Sequence, residues 1–143
     1  MHSLILQNQW IKVRIVPQLG CKIVEIYDLE NNHEWLWSDN SRPIRAANYG
    51  DRYDLYDISG FDECFPNIGI SQDPTDTGIT LPDHGEIWSL PWVVTENKNG
   101  VSATVVGKLF DYRFSRKLSL KKSKLIIEYS VANIGNTEIT YMW

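Results

Sequence analysis

Residues 81–88, which read Leu-Pro-Asp-His-Gly-Glu-Ile-Trp, place an imidazole beside carboxylates and close to an indole. The carboxylate of Asp83 can fix the tautomer of the His84 ring, so that the other ring nitrogen is presented to a hydroxyl group. Gly85 permits a tight bend and the close approach of a ligand, and Trp88 offers a flat apolar face of the kind that stacks on a sugar ring. These residues indicate a site for a small polyhydroxylated ligand. The alternative is a turn leading into a strand, in which backbone carbonyls satisfy His84.

A second segment, residues 60–68, carries the adjacent acids Asp62 and Glu63. Neighbouring side chains of a strand point to opposite faces, so the two acids face one site only if the backbone bends between them. The simpler interpretation is one buried, hydrogen-bonded acid and one solvated acid. A glycosidase would need two carboxylates at a defined separation. Glu63 and Glu86 are the candidate pair, and the sequence gives no distance between them.

The composition argues against several other classes of function. The 143 residues carry a net charge of -4 without a long basic run, so we expect no binding to nucleic acid, which needs clustered cations. The apolar run at residues 4–6 is too short for a signal peptide or a membrane span. The two cysteines form no disulfide framework, and we expect reduced thiols in a cytoplasmic protein. The three histidines lack metal-ligand spacing and no phosphate-binding loop is present, so neither a metal nor a cofactor is expected.

The elements that position these segments are predicted to be β-strands, because apolar and polar residues alternate along much of the chain. Alternation predicts strands at residues 11–16, 20–29 (with a bulge), 34–37, 92–96, 101–106, 110–120, 125–131 and 139–143. Residues 97–100 are predicted to close a hairpin. Residues 38–90 are irregular apart from a candidate short strand at 54–58, and long irregular segments are usually functional loops. The sequence predicts an all-β, antiparallel β-sandwich, with residues 1–143 as a single domain.

In this order and spacing, the motifs of the chain resemble those of the aldose 1-epimerase (galactose mutarotase-like) family. The resemblance rests on residues 17–23, 34–36, 62–66, 82–88, 114–116 and 129–133. The family fold is a large antiparallel β-supersandwich, and the chain resembles its amino-terminal half. The resemblance therefore implies half of a supersandwich, truncated at its C-terminus. A fragment, a shortened relative that assembles from two copies and a decayed copy are all open as explanations.

The resemblance also implies a reaction, the interconversion of the α and β anomers of an aldose, which needs no cofactor. In the family a glutamate removes the proton from the anomeric hydroxyl and a histidine protonates the ring oxygen. Both family positions lie beyond Trp143, so no residue here is assigned a catalytic role. The chain alone is therefore expected to be inactive. His84 matches an earlier family histidine, which contacts substrate hydroxyls.

The predicted substrate-binding residues are His84, Asp83, Trp88 and Glu63, and the predicted ligand is an aldose. Trp37 is a further candidate to line the site. The arginine that family members use near the sugar corresponds to one of Arg42, Arg45 and Arg52. The identity of the sugar and its phosphorylation state are open. The alternative functions are a non-catalytic carbohydrate-binding β-sandwich and a structural oligomerisation domain.

The predicted last strand, residues 138–143, bears on assembly. Ile139, Tyr141 and Trp143 share one of its faces, so a monomer would leave an apolar edge in water. We therefore expect a homodimer whose contact includes this strand.

Overall fold

The computed structural model describes residues 1–143 except Asn40, Pro43, Thr77 and Asn99. The described residues contain one short 3-10 turn, Tyr53–Leu55, and no helix long and apolar enough to cross a membrane. The pairings between the described strands are antiparallel. The strands are β1 (Leu4–Gln7), β2 (Ile11–Val16), β3 (Lys22–Asp28), β4 (His33–Glu34), β5 (Ser71–Gln72), β6 (Thr80–Leu81), β7 (Val93–Asn97), β8 (Gly100–Val106), β9 (Tyr112–Lys121) and β10 (Lys124–Asn133).

The first four strands form a sheet in the order β1-β2-β3-β4. Along β2, Val13 and Ile15 are buried while Arg14 points to solvent, as the alternation predicts. The Arg14 guanidinium lies 3.0 Å from the carboxylate of Glu25 on β3. The register between β2 and β3 shifts between Arg14 and Ile15, an irregularity in the strand pair for which the sequence predicts a bulge.

The second sheet has the order β10-β9-β8-β7. β7 and β8 form the predicted hairpin, and Asn99 of its predicted turn lies outside the described residues. The turn between β9 and β10 contains Lys122 with a φ of 54°, in the left-handed region that tight hairpin turns require. β10 forms one edge of this sheet, since β9 is its only partner strand within the described part of the chain.

The two sheets pack around one apolar core, which confirms the all-β, antiparallel sandwich. Val13 and Ile15 enter this core from the first sheet, and Tyr112 and Phe114 enter it from β9. Phe65, from the segment between the sheets, has its ring centroid 4.8 Å from that of Tyr112 and 5.3 Å from that of Phe114. The large aromatic side chains thus join the irregular segment to the sandwich.

The segment between the sheets is held by isolated bridges. Ile23 of β3 bridges to Phe61, and Phe65 bridges to Gly85. β5 and β6 add a short ladder of their own. Residues 60–68 and 81–88, the two segments that carry the candidate functional residues, are therefore direct neighbours.

Two short elements differ from the sequence prediction. Residues 54–58 form no strand, and the 3-10 turn Tyr53–Leu55 takes their place. The strand predicted at 34–37 is limited to His33–Glu34, because only these residues pair with β3. The structure also adds β1, whose buried Leu4 pairs with Ile15 and extends the first sheet.

The prediction of a final strand at 139–143 is wrong. This segment folds back over the core instead, with the Met142 N–H donating to the Pro66 carbonyl at 2.8 Å. The ring of Tyr141 packs 5.0 Å from that of Phe65, centroid to centroid, and Trp143 packs on the second sheet. These ring contacts cover the aromatic residues in part, and a strand pattern does not distinguish such contacts from pairing in a sheet.

Candidate functional site

The backbone at His84 is held in an uncommon conformation. His84 and Gly85 both lie in the left-handed region, with φ values of 57° and 72°. The His84 N–H donates to the Ile68 carbonyl at 2.8 Å, and the Glu86 N–H donates to the Phe65 carbonyl at 2.8 Å. Histidine is one of the few side chains that tolerate this region, and strained backbone of this kind is concentrated at functional sites. The fold thus fixes the backbone position from which the His84 side chain extends.

Gly85 is required at its position by close contact as well as by conformation. A Cβ atom there would lie 2.2 Å from the carbonyl oxygen of Phe65. No real side chain occupies that space, so the two candidate segments approach each other only because residue 85 is a glycine.

We expect Gly85→Ala to lower the free energy of unfolding by about 2 kcal/mol or more beyond the loss caused by Gly50→Ala. Gly50 is the matched control: its φ of 83° is also left-handed, yet a Cβ there meets nothing within 4 Å. Each substitution carries a backbone strain of about 1 kcal/mol, and only Gly85→Ala adds the clash with Phe65. Urea unfolding, monitored by tryptophan fluorescence, measures the free energy of unfolding of both variants. Equal losses would mean that the Phe65–Gly85 contact relaxes freely.

The His84 ring is oriented from two sides. Its Nδ1 lies 2.9 Å from Oδ1 of Asp83, and its face stacks on Tyr53 with ring centroids 4.1 Å apart and planes 17° apart. The Asp83 carboxylate also accepts the Tyr53 N–H at 2.9 Å. The His84 side chain is 33% exposed, and its Nε2 has no hydrogen-bond partner among the described residues. The ring is therefore held in a fixed orientation, with Nε2 left without a partner among the described residues.

The electrostatics favour an ionised Asp83. Burial alone would raise the pKa of this carboxyl, but the Tyr53 N–H and the His84 ring outweigh burial and hold the pKa below its usual value. A carboxylate that accepts from Nδ1–H leaves Nε2 as the acceptor of the neutral imidazole. Nε2 can thus accept a hydrogen bond from a ligand hydroxyl.

Tyr53 is a site residue that the sequence analysis missed. Its hydroxyl donates to Asp62 at 2.7 Å, and Asp62 lies 3.0 Å from the ammonium group of Lys22. Lys22 in turn lies 3.3 Å from the Asp57 carboxylate. Burial raises the pKa of Asp62, although Lys22 and Tyr53 act in the opposite direction. No local pattern marks Tyr53, since its partner His84 follows 31 positions later in the chain.

Trp88 lies beside this cluster but is nearly covered. Its side chain packs edge-on against the rings of Tyr53 and Tyr56, and the residue is 6% exposed. Its Nε1–H donates to the Asp83 carbonyl at 2.9 Å. The adjoining cavity, which Lys22 also lines, has a volume of about 20 Å³ and has room for water rather than a sugar. Trp88 therefore supports Asp83 and Tyr53, and its flat face is not open for stacking as the sequence analysis expected.

Glu63 belongs to a different cluster. It is 3% exposed and accepts hydrogen bonds from Arg116 at 2.9 Å, from the Tyr129 hydroxyl at 2.6 Å and from the Trp143 indole at 3.1 Å. These partners belong to the second sheet and to the C-terminal segment. The structure thus brings together His84 and Asp83, with Trp88 behind them, and gives Glu63 separate partners.

Glu86, the other acid considered for a paired-carboxylate mechanism, is fully buried. It accepts hydrogen bonds from the hydroxyls of Tyr49 and Tyr112 at 2.8 and 2.9 Å, and from the N–H groups of Lys108 and Leu109 at 2.7 and 2.9 Å. Asp62 and Glu63 are likewise both largely buried, so the expectation of one solvated acid is wrong. Because both are buried, Glu63 and Glu86 do not form the open pair that glycoside hydrolysis needs.

The three candidate arginines lie near the 3-10 turn. Arg52 forms a two-point ion pair with Asp54, at 3.0 and 2.6 Å. Arg45 lies over the Tyr56 ring, with its guanidinium carbon 5.0 Å from the centroid. Arg42 donates to the Asp54 carbonyl. Among them, Arg52 is near enough to help to lower the pKa of Asp83.

Comparisons with known proteins support the fold. No protein-family model matches the chain, and no curated protein matches it. Among solved structures, a proposed mutarotase (YeaD) from Salmonella typhimurium matches 91% of the chain with a TM-score of 0.64 and 20% identity. The 4-alpha-glucanotransferase from Thermococcus litoralis matches 90% with a TM-score of 0.56 and 18% identity. The protein HI1317 matches 96% with a TM-score of 0.56 and 15% identity.

The chain spans less than half the length of each of these structures. It covers 43% of YeaD, 22% of the glucanotransferase and 46% of HI1317. At these identities the likeness shows a mutarotase-like β-sandwich fold.

Proposed function

We propose that this chain is a sugar-binding β-domain of the aldose 1-epimerase type, in which His84 and Asp83 bind hydroxyl groups of an aldose. The observation that carries the proposal is the His84 ring. Its backbone is strained, Asp83 and Tyr53 hold the ring from two sides, the side chain is one third exposed, and Nε2 has no hydrogen-bond partner among the described residues. A ring oriented in this way is prepared to bind a hydroxyl before the ligand arrives. The mutarotase-like fold is consistent with this class of ligand.

The proposed contacts follow from the chemistry of the cluster. Nε2 of His84 accepts a hydrogen bond from one hydroxyl, and the Asp83 carboxylate, with its side chain 19% exposed, can accept from a second. Tyr53 and Trp88 fix the positions of these groups without touching the sugar. Glu63 is left out of the contact set because Arg116, Tyr129 and Trp143 already occupy its oxygens.

Titration with glucose and galactose, followed by tryptophan fluorescence, tests the proposal. We expect His84→Gly to weaken binding by about tenfold, the loss of one well-placed hydrogen bond and its fixed geometry. Glycine is the right replacement because it keeps the left-handed backbone without strain, whereas alanine would add strain of its own. His33→Ala is the control, since His33 is an exposed histidine on β4. Both variants should keep the wild-type Tm. Unchanged binding by His84→Gly, or no sugar binding by the wild-type chain, would contradict the proposal.

We also propose that the chain alone does not accelerate mutarotation. An acid and a base each contribute about 10²–10⁴-fold, and they must lie on opposite sides of the acetal. The Asp83 carboxylate is hydrogen-bonded to the His84 ring, so both groups would lie on the same side of the acetal. Polarimetry of freshly dissolved α-glucose or α-galactose should show the rate of buffer. A faster rate that is lost in His84→Gly would contradict this proposal and would assign His84 a catalytic role.

We further propose a homodimer in a reducing compartment such as the cytoplasm. Tyr141, Met142 and Trp143 are all more than half exposed, an apolar patch of the kind that interfaces cover. Both cysteines are free: Cys21 is buried and Cys64 is partly buried. Burial raises the pKa of the Cys64 thiol to about 11, so this thiol stays protonated and unreactive near neutral pH.

A further inference from the structure

The outer edge of β10 carries no further strand within the described part of the chain. β10 is ten residues long and pairs without interruption with β9, and no other described strand pairs with it. Natural edge strands are usually protected by a bulge, a proline, several charges or a covering segment. β10 contains no proline and no bulge, and its charged residues are Lys124 and Glu128. Such an edge is suited to pairing with another strand.

The apolar face of the second sheet extends to this edge, where it is only partly covered. The core-facing residues of β9 are buried, whereas Leu125, Ile127 and Tyr129 of β10 are only half-buried, and Val131 is 36% exposed. Val131 and Tyr141 line a cleft of about 160 Å³ between β10 and the C-terminal segment. The open edge is therefore continuous with the exposed patch at residues 141–143.

We propose that a second copy of the chain pairs with this edge, β10 against β10 in antiparallel orientation, with the two-fold axis at Tyr129. The inference rests on the homodimer proposed above and names its contact. The two four-stranded sheets would join into one continuous sheet.

The register follows from the side chains of β10. Core-facing residues of both copies must lie on the same side of the joined sheet, so the axis must pass through a residue. An axis at Glu128 would place the two Glu128 carboxylates opposite each other, which is unfavourable. An axis at residue 127 or 130 shortens the overlap. The axis at Tyr129 overlaps residues 125–133, pairs Ile127 with Val131 of the second copy, and pairs Glu128 with its Ser130.

The pairing of Glu128 with Ser130 allows a sharp test. Ser130→Glu would place a new carboxylate opposite Glu128 of the second copy, and the two-fold axis would repeat the repulsion. Ser130→Lys would place an ammonium group there and form two ion pairs instead. Within one copy, Ser130 lies opposite Ser115 of β9 and is exposed, so neither substitution disturbs a cross-strand ion pair or the core.

Sedimentation velocity across a range of protein concentrations measures the dimer dissociation constant. We expect Ser130→Glu to raise the constant by about two- to thirtyfold and Ser130→Lys to lower it. The double variant Glu128→Lys with Ser130→Glu restores opposite charges and should dimerise like Ser130→Lys. Glu128→Lys removes an exposed contact with Lys117 at 3.6 Å and places a second ammonium group opposite Lys117 within one copy. Because both side chains are exposed, this change costs little stability.

Two results would overturn the inference, and they are distinguishable from each other. A monomer at every concentration would remove both the homodimer and the β10 contact. A dimer whose dissociation constant in all three variants equals that of the wild type would keep the homodimer and place its contact away from β10. Sugar binding by His84 is measured independently and is not affected by either result.

Discussion

Replacement of Glu86 by alanine is expected to lower the free energy of unfolding by about 3–5 kcal/mol, a large fraction of the stability of an ordinary domain. Glu86 is fully buried and accepts hydrogen bonds from the Tyr49 and Tyr112 hydroxyls and from two backbone N–H groups. Alanine would leave all of these donors buried without an acceptor. A buried donor that loses its partner costs more than the hydrogen bond contributed in the first place.

Glu86→Gln is the matched control. The amide has nearly the same shape, and its carbonyl oxygen can still accept from the Tyr49 hydroxyl and from the N–H groups of Lys108 and Leu109. The Tyr112 hydroxyl can rotate to accept from the new amide N–H, because a hydroxyl is both donor and acceptor. We therefore expect Glu86→Gln to lose only about 1–2 kcal/mol.

Urea unfolding, monitored by circular dichroism and by tryptophan fluorescence, measures both Glu86 variants. Equal losses in the two variants would show that the charge of Glu86, rather than the satisfaction of its donors, accounts for its contribution. A small loss in Glu86→Ala would mean that water reaches the tyrosine hydroxyls in its place. Either outcome would contradict the assignment of Glu86 as the structural acceptor next to Gly85.

The strands of the sandwich were predictable because their pattern is local. β2, β8, β9 and β10 each alternate between core and solvent, and the period of two appears directly in the sequence. The segment 139–143 has the same alternation but pairs with no described strand. The rings of Tyr141 and Trp143 are partly covered by Phe65, Phe114 and Tyr129 instead. Alternation indicates which residues seek cover, and it does not indicate whether a strand or a ring cluster provides that cover.

Only the Asp83–His84 pair of the candidate site was predictable from the sequence. The carboxylate of Asp83 is adjacent to His84 in sequence, so their hydrogen bond could be expected. The stacking of Tyr53 on His84 could not, because it depends on the path of an irregular loop. The burial of Trp88 depends in the same way on Tyr53 and Tyr56. Contacts between distant segments of irregular structure have no periodic signature in a single sequence.

Arg116→Met is expected to lower the free energy of unfolding by about 3–5 kcal/mol, because it leaves the Glu63 carboxylate buried without its cation. Arg116 is 1% exposed. It donates to Glu63 at 2.9 Å and to the carbonyl of Cys21, and its guanidinium lies 5.4 Å from the ring centroid of Trp92. One side chain of β9 thus ties the second sheet to the loop before β3 and to the segment that carries Glu63.

The double variant Arg116→Met with Glu63→Gln separates the ion pair from the packing of the arginine. Removal of the second charge takes away the cost of a buried, unpaired carboxylate, while the amide oxygen can still accept from Tyr129 or Trp143. We expect the double variant to be about 1–3 kcal/mol more stable than Arg116→Met alone, a coupling that a double-mutant cycle in urea measures. Additive losses would show that Arg116 stabilises the sandwich through its contacts with Cys21 and Trp92 rather than through Glu63.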